Sequence, residues 1–154
     1  MIKLLNDEIF ITTTDTIIGI GGKVNEVVKE KIYKIKNRDK NKPLVIVVSS
    51  IEQLSKMEDL KENDMYYINK YWPGNVTLII NGKGYRMPKN KKLLEFIKKE
   101  GPFYLTSANI SNQEVVKNID EAKILFPNLK YFDFGKGTGI PSTIIDTKNG
   151  RKLR

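Results

Sequence analysis

Cysteine and histidine are both absent from this sequence of 154 residues. Without cysteine, the protein can have neither a disulfide framework nor thiolate chemistry. Without histidine, the commonest general base and metal ligand is missing, which excludes His-based triads and histidine-dependent zinc hydrolases. Any catalysis must therefore come from hydroxyls, carboxylates, lysine, arginine and backbone amides, or from a bound ion.

Long apolar runs are also absent. Hydrophobic residues make up 40% of the chain, but no run approaches the roughly 18 residues that a membrane-spanning helix needs. Residues 1–8 have no apolar segment behind a basic start, so they do not resemble a secretory signal. These features predict a soluble, cytoplasmic protein with no membrane partner. The length predicts a single domain, 1–154, with a substantial core.

Positive charge is abundant. The chain has 27 Lys+Arg against 18 Asp+Glu, a formal net charge of +9, which favours anionic partners such as nucleotides or RNA. Five of the basic residues alternate along a short segment: Lys34, Lys36, Arg38, Lys40 and Lys42. Such a run can complement a helix dipole and remain solvated. It can equally bind phosphate, whose oxygens match a guanidinium fork.

Strand and helix patterns alternate along the chain and predict an α/β fold, a twisted open mixed sheet with flanking helices. Asn25 and either Ser49 or Ser50 are candidate helix N-caps. Gly19, Gly21 and Gly22 are expected to form a turn, without the spacing of a dinucleotide-binding fingerprint. Strands are expected over 8–12, 44–48, 76–80, 103–105, 131–134 and 143–146, with further helices over 91–100 and 120–126.

Short polar side chains crowd two of the predicted strand ends. One group lies within 12–16, and the other contains Thr106, Ser107, Asn109 and Ser111. Ligands of open α/β sheets collect at the carboxyl ends of strands, so these residues favour a small-ligand site. A capped strand or a helix entry is the structural alternative. The glycine-rich segment 135–139 could direct its amides at an anion, or simply connect two strands.

Six short motifs, taken in order, resemble the YrdC-like family of threonylcarbamoyl-AMP synthases, known in bacteria as TsaC. They are Thr14-Asp15-Thr16, Lys36-Asn37-Arg38 with Pro43-Leu44, Trp72-Pro73-Gly74, Arg86-Met87-Pro88, Thr106-Ser107-Ala108-Asn109 with Ser111, and Pro141-Ser142-Thr143-Ile144. The resemblance implies a YrdC-like fold. It also implies a nucleotidyltransferase that makes threonylcarbamoyl-AMP and pyrophosphate from L-threonine, bicarbonate and ATP, with Mg²⁺. Partner proteins would use the product to modify tRNA.

The same resemblance implies roles for ten residues. Those expected to bind threonine are Thr14, Arg86, Leu105 and Ser142. Those expected to bind ATP are Arg38, Lys42, Ser107, Asn109 and Arg154. Lys36 and Arg38 are the expected catalytic residues, and no metal site built by the protein is expected.

The sequence departs from the family pattern at several turns and on one strand. Thr13 and Asp39 each replace a proline, while Asn75 and Asn112 replace a proline and a glycine. The strand after Pro43-Leu44 lacks a histidine that some members place near threonine. Two alternatives therefore remain: an RNA-binding or ribosome-assembly module, suggested by the charge, and a nucleotide-binding relative without turnover.

Overall fold

The structure is a computed structural model that describes residues 4–154. Within these residues, strands and helices alternate along much of the chain. The strands are β1 (Ile9–Thr12), β2 (Gly19–Lys23), β3 (Val45–Val47), β4 (Val76–Ile80), β5 (Lys83–Arg86), β6 (Phe103–Ser107), β7 (Lys130–Phe132), β8 (Thr143–Asp146) and β9 (Arg151–Lys152). The helices are α1 (Glu26–Lys36), α2 (Ile51–Ser55), α3 (Glu62–Tyr71), α4 (Lys91–Glu100) and α5 (Ile119–Leu125).

All the strands of the described residues join one sheet, in the order β7-β1-β2-β6-β3-β5-β4-β8-β9. Three neighbouring pairs are parallel, namely β1 with β7, β3 with β5 and β4 with β8. The other pairs are antiparallel. The predicted mixed α/β fold is thus confirmed.

Helices cover the two faces of the sheet unequally. On one face, α1 and α5 pack over one half and α2 and α3 over the other, each half with its own apolar cluster. On the opposite face, α4 places Leu93 and Ile97 against Phe10 and Phe103. That cluster reaches Val47 and Leu105 but includes no residue of β4, β5 or β8. These strands therefore present an uncovered surface beside α4.

Short side-chain caps fix the starts of four helices, α1, α2, α4 and α5. Asn25 accepts a hydrogen bond from the amide of Val28 (2.8 Å), Ser50 from that of Gln53 (3.0 Å) and Asn90 from that of Leu93 (3.0 Å). Each bond satisfies an amide that the helix itself leaves unpaired. The predicted cap at Asn25 is confirmed, and of the two candidate serines Ser50 is the cap.

The glycines after the first strand form strand β2, so the predicted turn is wrong. Gly21 pairs with Phe10 on one side and Leu105 on the other. A Cβ on Gly21 would overlap the Tyr104 carbonyl oxygen, and one on Gly19 would overlap the Leu105 side chain. Glycine is present because three strands approach closely here, and β propensity carries no signal of that packing.

Two other segments also form strand where no strand was predicted. Arg86 lies outside the predicted strands but ends strand β5. The segment after Leu105 does not enter a helix, since Thr106 and Ser107 continue β6 and the next helix begins at Ile119. Thr106 and Ser107 therefore extend a strand near the centre of the sheet.

Candidate functional site

A cavity of about 270 Å³ lies on the uncovered surface of the sheet. This volume is near the lower end for small-molecule sites. Seven of the ten predicted site residues line it: Thr14, Arg38, Arg86, Leu105, Ser107, Ser142 and Arg154. The other three, Lys36, Lys42 and Asn109, are not part of the lining.

Strand alternation explains why residues distant in sequence share this cavity. Side chains point to one face at every second position of a strand. Val45 lies opposite Leu105, and Thr77 lies opposite Ile144. All four line the cavity. The cavity therefore has an apolar floor with hydroxyls and guanidinium groups around it.

Arg86 is buried, with 5% of its surface exposed, and three acceptors from two segments of the chain hold its guanidinium group. Its Nη1 donates to the Asp15 carboxylate (3.0 Å) and to the Gly74 carbonyl (3.0 Å), and its Nη2 donates to the Thr16 hydroxyl (3.2 Å). The Trp72-Pro73-Gly74 turn thus supplies an acceptor to a candidate ligand-binding residue. The simplest explanation of the Trp72-Pro73-Gly74 motif is that it packs and reverses the chain. The contact with Arg86 shows that this is only part of its role.

The contacts of Arg86 leave donors for a ligand. A guanidinium group carries five N–H donors. The described residues 4–154 accept three of them, which leaves the donor on Nε and one on Nη2. These neighbouring nitrogens are suited to a bidentate carboxylate or phosphate.

Thr14 lies at the bend after β1, where its hydroxyl is engaged within the chain. It donates to the Ile17 carbonyl (2.6 Å) and accepts from the Thr16 amide (2.9 Å). The bend therefore fixes Thr16, which in turn contacts Arg86. Direct contact between Thr14 and threonine stays a prediction.

The glycine-rich segment 135–139 packs on this bend. The amides of Thr138 and Gly139 donate to the carbonyls of Asp15 (3.1 Å) and Thr16 (2.9 Å). A Cβ on Gly137 would overlap the carbonyl oxygens of Thr14 and Thr16. Glycine at 137 therefore permits close docking, and the two amides are occupied by the chain itself rather than by an anion.

Lys36 lies behind the cavity wall, and only 1% of its surface is exposed. Its ammonium donates to the carbonyl of Ser107, to the hydroxyl of Ser107 (3.3 Å) and to the amide oxygen of Asn109 (2.7 Å). The Ser107 hydroxyl also donates to the same Asn109 oxygen (2.6 Å). Lys36 therefore ties together the two residues predicted to contact the nucleotide.

Burial, followed by the positive charge of Arg38, lowers the pKa of Lys36 from 10.5 to about 7. Its three acceptors carry no formal charge, so no carboxylate offsets the cost of burying the ammonium. This amine therefore changes its charge near neutral pH.

We expect the free energy of unfolding to rise by on the order of a few kcal/mol between pH 7 and about pH 9.5. In this window folded Lys36 has lost its proton while unfolded lysine keeps it, so the unfolded state binds more protons and stability increases with pH. The window closes near pH 10, because burial raises the pKa of Tyr85, Tyr104 and Tyr131 and so reverses the slope.

Urea unfolding across this pH range measures the effect. The control is Lys36→Met, which keeps an unbranched side chain of similar volume but cannot titrate. Its stability should change little over the same window. Parallel pH profiles for the two proteins would contradict the assigned pKa.

Arg38 lies at the rim of the cavity, and Lys42 lies beside it, outside the lining. Arg38 donates from Nη2 to the Pro43 carbonyl (3.1 Å) and, at longer range, from Nε to the Lys42 carbonyl (3.5 Å). Its Nη1 has no acceptor among the residues that the structure describes. Lys42 is exposed, and its backbone rather than its ammonium contacts Arg38.

Ser142 and Arg154 form the opposite rim. The Ser142 hydroxyl lies 2.8 Å from the Thr77 hydroxyl. Arg154 donates to the Ser142 carbonyl from Nε (2.9 Å) and Nη2 (2.7 Å), and to its hydroxyl from Nη2 (3.1 Å). The residue predicted to contact threonine and the one predicted to contact ATP are thus in direct contact.

Several residues of the site were not predicted from the sequence. Asp15 and Thr16 were noted as part of a motif but given no role, although both contact Arg86. Thr77 was treated only as part of a buried strand. Alternation along β4 could have placed Thr77 and Ile79 on one face, but the pairing of β4 with β8 was needed to show which face lines the cavity.

Within residues 4–154, no group of three or more Asp or Glu residues lies close enough together to hold a metal ion. The helices of the same residues are all too short or too polar to cross a bilayer.

Known proteins resemble this chain along most of its length. The family model Sua5_yciO_yrdC, described as "Telomere recombination", matches residues 3–154. A Methanocaldococcus jannaschii protein, provisionally named a threonylcarbamoyl-AMP synthase, is 33% identical over 165 residues, which span 97% of this chain and 79% of the relative.

Solved structures show the same fold. P. abyssi Sua5 in complex with L-threonine matches with a TM-score of 0.80 and 26% identity, over 91% of this chain and 47% of that chain. This protein thus spans about half the length of P. abyssi Sua5. E. coli YciO matches with a TM-score of 0.77 and 19% identity, over 90% of this chain and 77% of that chain. With the family model matching residues 3–154, this chain belongs to the Sua5/YciO/YrdC family.

Proposed function

We propose that this protein is a threonylcarbamoyl-AMP synthase, a nucleotidyltransferase that converts L-threonine, bicarbonate and ATP into threonylcarbamoyl-AMP and pyrophosphate. The observation that carries the proposal is the buried Arg86, whose remaining N–H groups can donate to a carboxylate in a cavity also lined by Arg38. The name of the M. jannaschii relative and the threonine bound to P. abyssi Sua5 support it.

In this proposal, Arg86 binds the threonine carboxylate through the donors on Nε and Nη2. Thr14, Leu105 and Ser142 lie around the same cavity and complete the threonine site. Leu105 contributes apolar surface, and Ser142 offers a hydroxyl that Thr77 already orients. Fixing the amino acid by its carboxylate leaves its amine available for reaction.

The substrates supply both nucleophiles of the proposed reaction. The threonine amine attacks the carbon of bicarbonate, or of carbon dioxide derived from it, to form a carbamate, with loss of water when bicarbonate is the source. A carbamate oxygen then attacks the α-phosphorus of ATP, and the bond to pyrophosphate breaks. The protein therefore needs no histidine or cysteine. Its task is to align the reactants, and positioning of this kind can contribute about 7–11 kcal/mol.

The phosphates require positive charge. We assign Arg38, Lys42 and Arg154 to the triphosphate, and Ser107 and Asn109 to the nucleotide. Lys36 adds its charge from behind Ser107. ATP enters with Mg²⁺, which shares the phosphate charge as in other phosphoryl transfers.

The product, a mixed carbamic-phosphoric anhydride, is reactive and must be consumed by another protein. We assign that step to the partner proteins that transfer the threonylcarbamoyl group to tRNA. Its charge of +9 also favours direct contact between this protein and tRNA. Because the reaction uses ATP and its product is destined for tRNA, we assign the activity to the cytoplasm.

Pyrophosphate release tests the proposal. We expect purified protein with bicarbonate and Mg-ATP to release pyrophosphate at a rate that depends on L-threonine. Folded protein that binds ATP but releases none above background would instead be a nucleotide-binding relative. Salt-sensitive tRNA binding that survives Arg38→Ala and Ser107→Ala, without ATP affinity, would indicate an RNA-binding module.

A further inference from the structure

Asp15 contacts the candidate threonine-binding residue but is not itself among the predicted ligands of any substrate. Its side chain is 15% exposed, and its Oδ1 and Oδ2 lie 2.9 and 3.0 Å from Nη1 of Arg86. The interaction is therefore an ion pair largely removed from water, in a setting where loss of one partner leaves the other charge uncompensated.

The backbone around Asp15 fixes its carboxylate. Oδ2 also accepts from the amide of Lys89 (2.9 Å), and the Asp15 carbonyl accepts from the amide of Thr138 (3.1 Å). Lys89 follows strand β5, and Thr138 belongs to the glycine-rich segment, so two separate parts of the chain hold Asp15. A carboxylate held in this way has a fixed position relative to the Arg86 guanidinium group.

The position of the carboxylate on Arg86 selects which donors are left for a ligand. Asp15 and the Gly74 carbonyl both bind Nη1, so this nitrogen is occupied. Without Asp15, the guanidinium group could rotate about its Cδ–Nε bond and present a different pair of donors. With Asp15 in place, the donors on Nε and Nη2 remain available.

We propose that Asp15 is a positioning residue, which orients Arg86 so that its Nε and Nη2 donors bind the carboxylate of the amino-acid substrate. This inference rests on the proposed function, because it takes the amino-acid substrate to be threonine. Asp15 acts through Arg86 and does not touch the reacting atoms.

Calorimetry with Asp15→Asn tests the inference. We expect the dissociation constant for L-threonine to increase at least about tenfold, because one charged partner of Arg86 is lost. The dissociation constant for ATP measured without threonine should remain within about twofold of the wild-type value, since Asp15 is not in contact with the predicted ATP residues. Asp15→Glu, which keeps the charge, should recover most of the threonine affinity. Asp120→Asn, at the exposed start of α5, is the matched control.

Binding of threonine amide distinguishes two roles for Asp15: orientation of Arg86 and a general structural role. It lacks the carboxylate, so wild-type protein should bind it more weakly than threonine. Asp15→Asn should reduce this preference for threonine. A loss of folded structure would instead lower the affinities for threonine and its amide by the same factor.

Unchanged or tighter threonine binding by Asp15→Asn would overturn the inference. So would a preference for threonine over its amide that equals that of the wild type. If wild-type protein binds threonine but releases no pyrophosphate, the synthase proposal fails while the inference about Asp15 stands on the binding data. If wild-type protein does not bind threonine, both fail.

Discussion

Replacing Arg86 by glutamine is expected to raise the threonine concentration for half-maximal pyrophosphate release by about 10²–10⁴-fold. In the proposed complex, two charge-assisted hydrogen bonds join Arg86 to the substrate carboxylate, and each contributes about 1.5–3 kcal/mol. Glutamine can supply neither the charge nor the paired donors. Initial rates at saturating ATP and bicarbonate, over a wide range of threonine concentrations, measure the change.

Two variants make this experiment specific. Arg86→Lys keeps the positive charge but not the planar fork, so its threonine affinity should fall between that of wild type and Arg86→Gln. Arg151→Gln removes an exposed arginine from β9 and should leave the threonine dependence unchanged. Because Arg86→Gln also leaves Asp15 without its partner, urea unfolding is needed to show that the variant is folded. Normal threonine dependence in folded Arg86→Gln would exclude Arg86 from the site.

Local sequence signals predicted those elements that depend on nearby residues. Helix α4 matches its predicted bounds, because an amphipathic pattern begins after the Asn90 cap and ends at Gly101. Strands β4 and β8 also match, since their β-branched runs are bounded by turn residues. By contrast, β2 depends on the closeness of β1 and β6, which no local pattern of glycines reveals.

The site could be predicted only in part for a similar reason. Motifs identified seven residues that line the cavity, but they did not distinguish these from the three predicted residues that lie outside the lining. Lys36 and Arg38 alternate in sequence, yet Lys36 is buried against β6 while Arg38 reaches the rim. Their separation depends on where β6 approaches the end of α1, which is a tertiary contact between residues about 70 positions apart.

Arg86 and Lys36 show two ways of keeping a buried cation. Arg86 has a carboxylate partner and donors left over for a ligand. Lys36 has acceptors without formal charge, and burial brings its pKa to about 7. Arg86 is therefore suited to bind an anion at any physiological pH. The contribution of Lys36 to a nearby phosphate should instead depend on pH.

Replacing Lys36 by methionine is expected to weaken ATP binding by about 10–100-fold at pH 6.5, where the ammonium is mostly charged. The substitution removes the donor that holds Ser107 and Asn109 together, as well as a charge behind the triphosphate site. Wild-type affinity for ATP should also decrease as the pH rises from about 6 to 8, because Lys36 loses its proton over that range. The affinity of Lys36→Met should lack this component.

Volume and charge can be separated at this position. Lys36→Ala removes most of a fully buried side chain and should cost about 2–5 kcal/mol of unfolding free energy. Lys36→Met fills the same space and should cost less. Lys34→Met, on the exposed side of α1, controls for loss of positive charge alone. If Lys36→Met binds ATP like wild type at every pH, then Lys36 serves only to pack β6 against α1, and the charge of the nucleotide site must come from Arg38, Lys42 and Arg154.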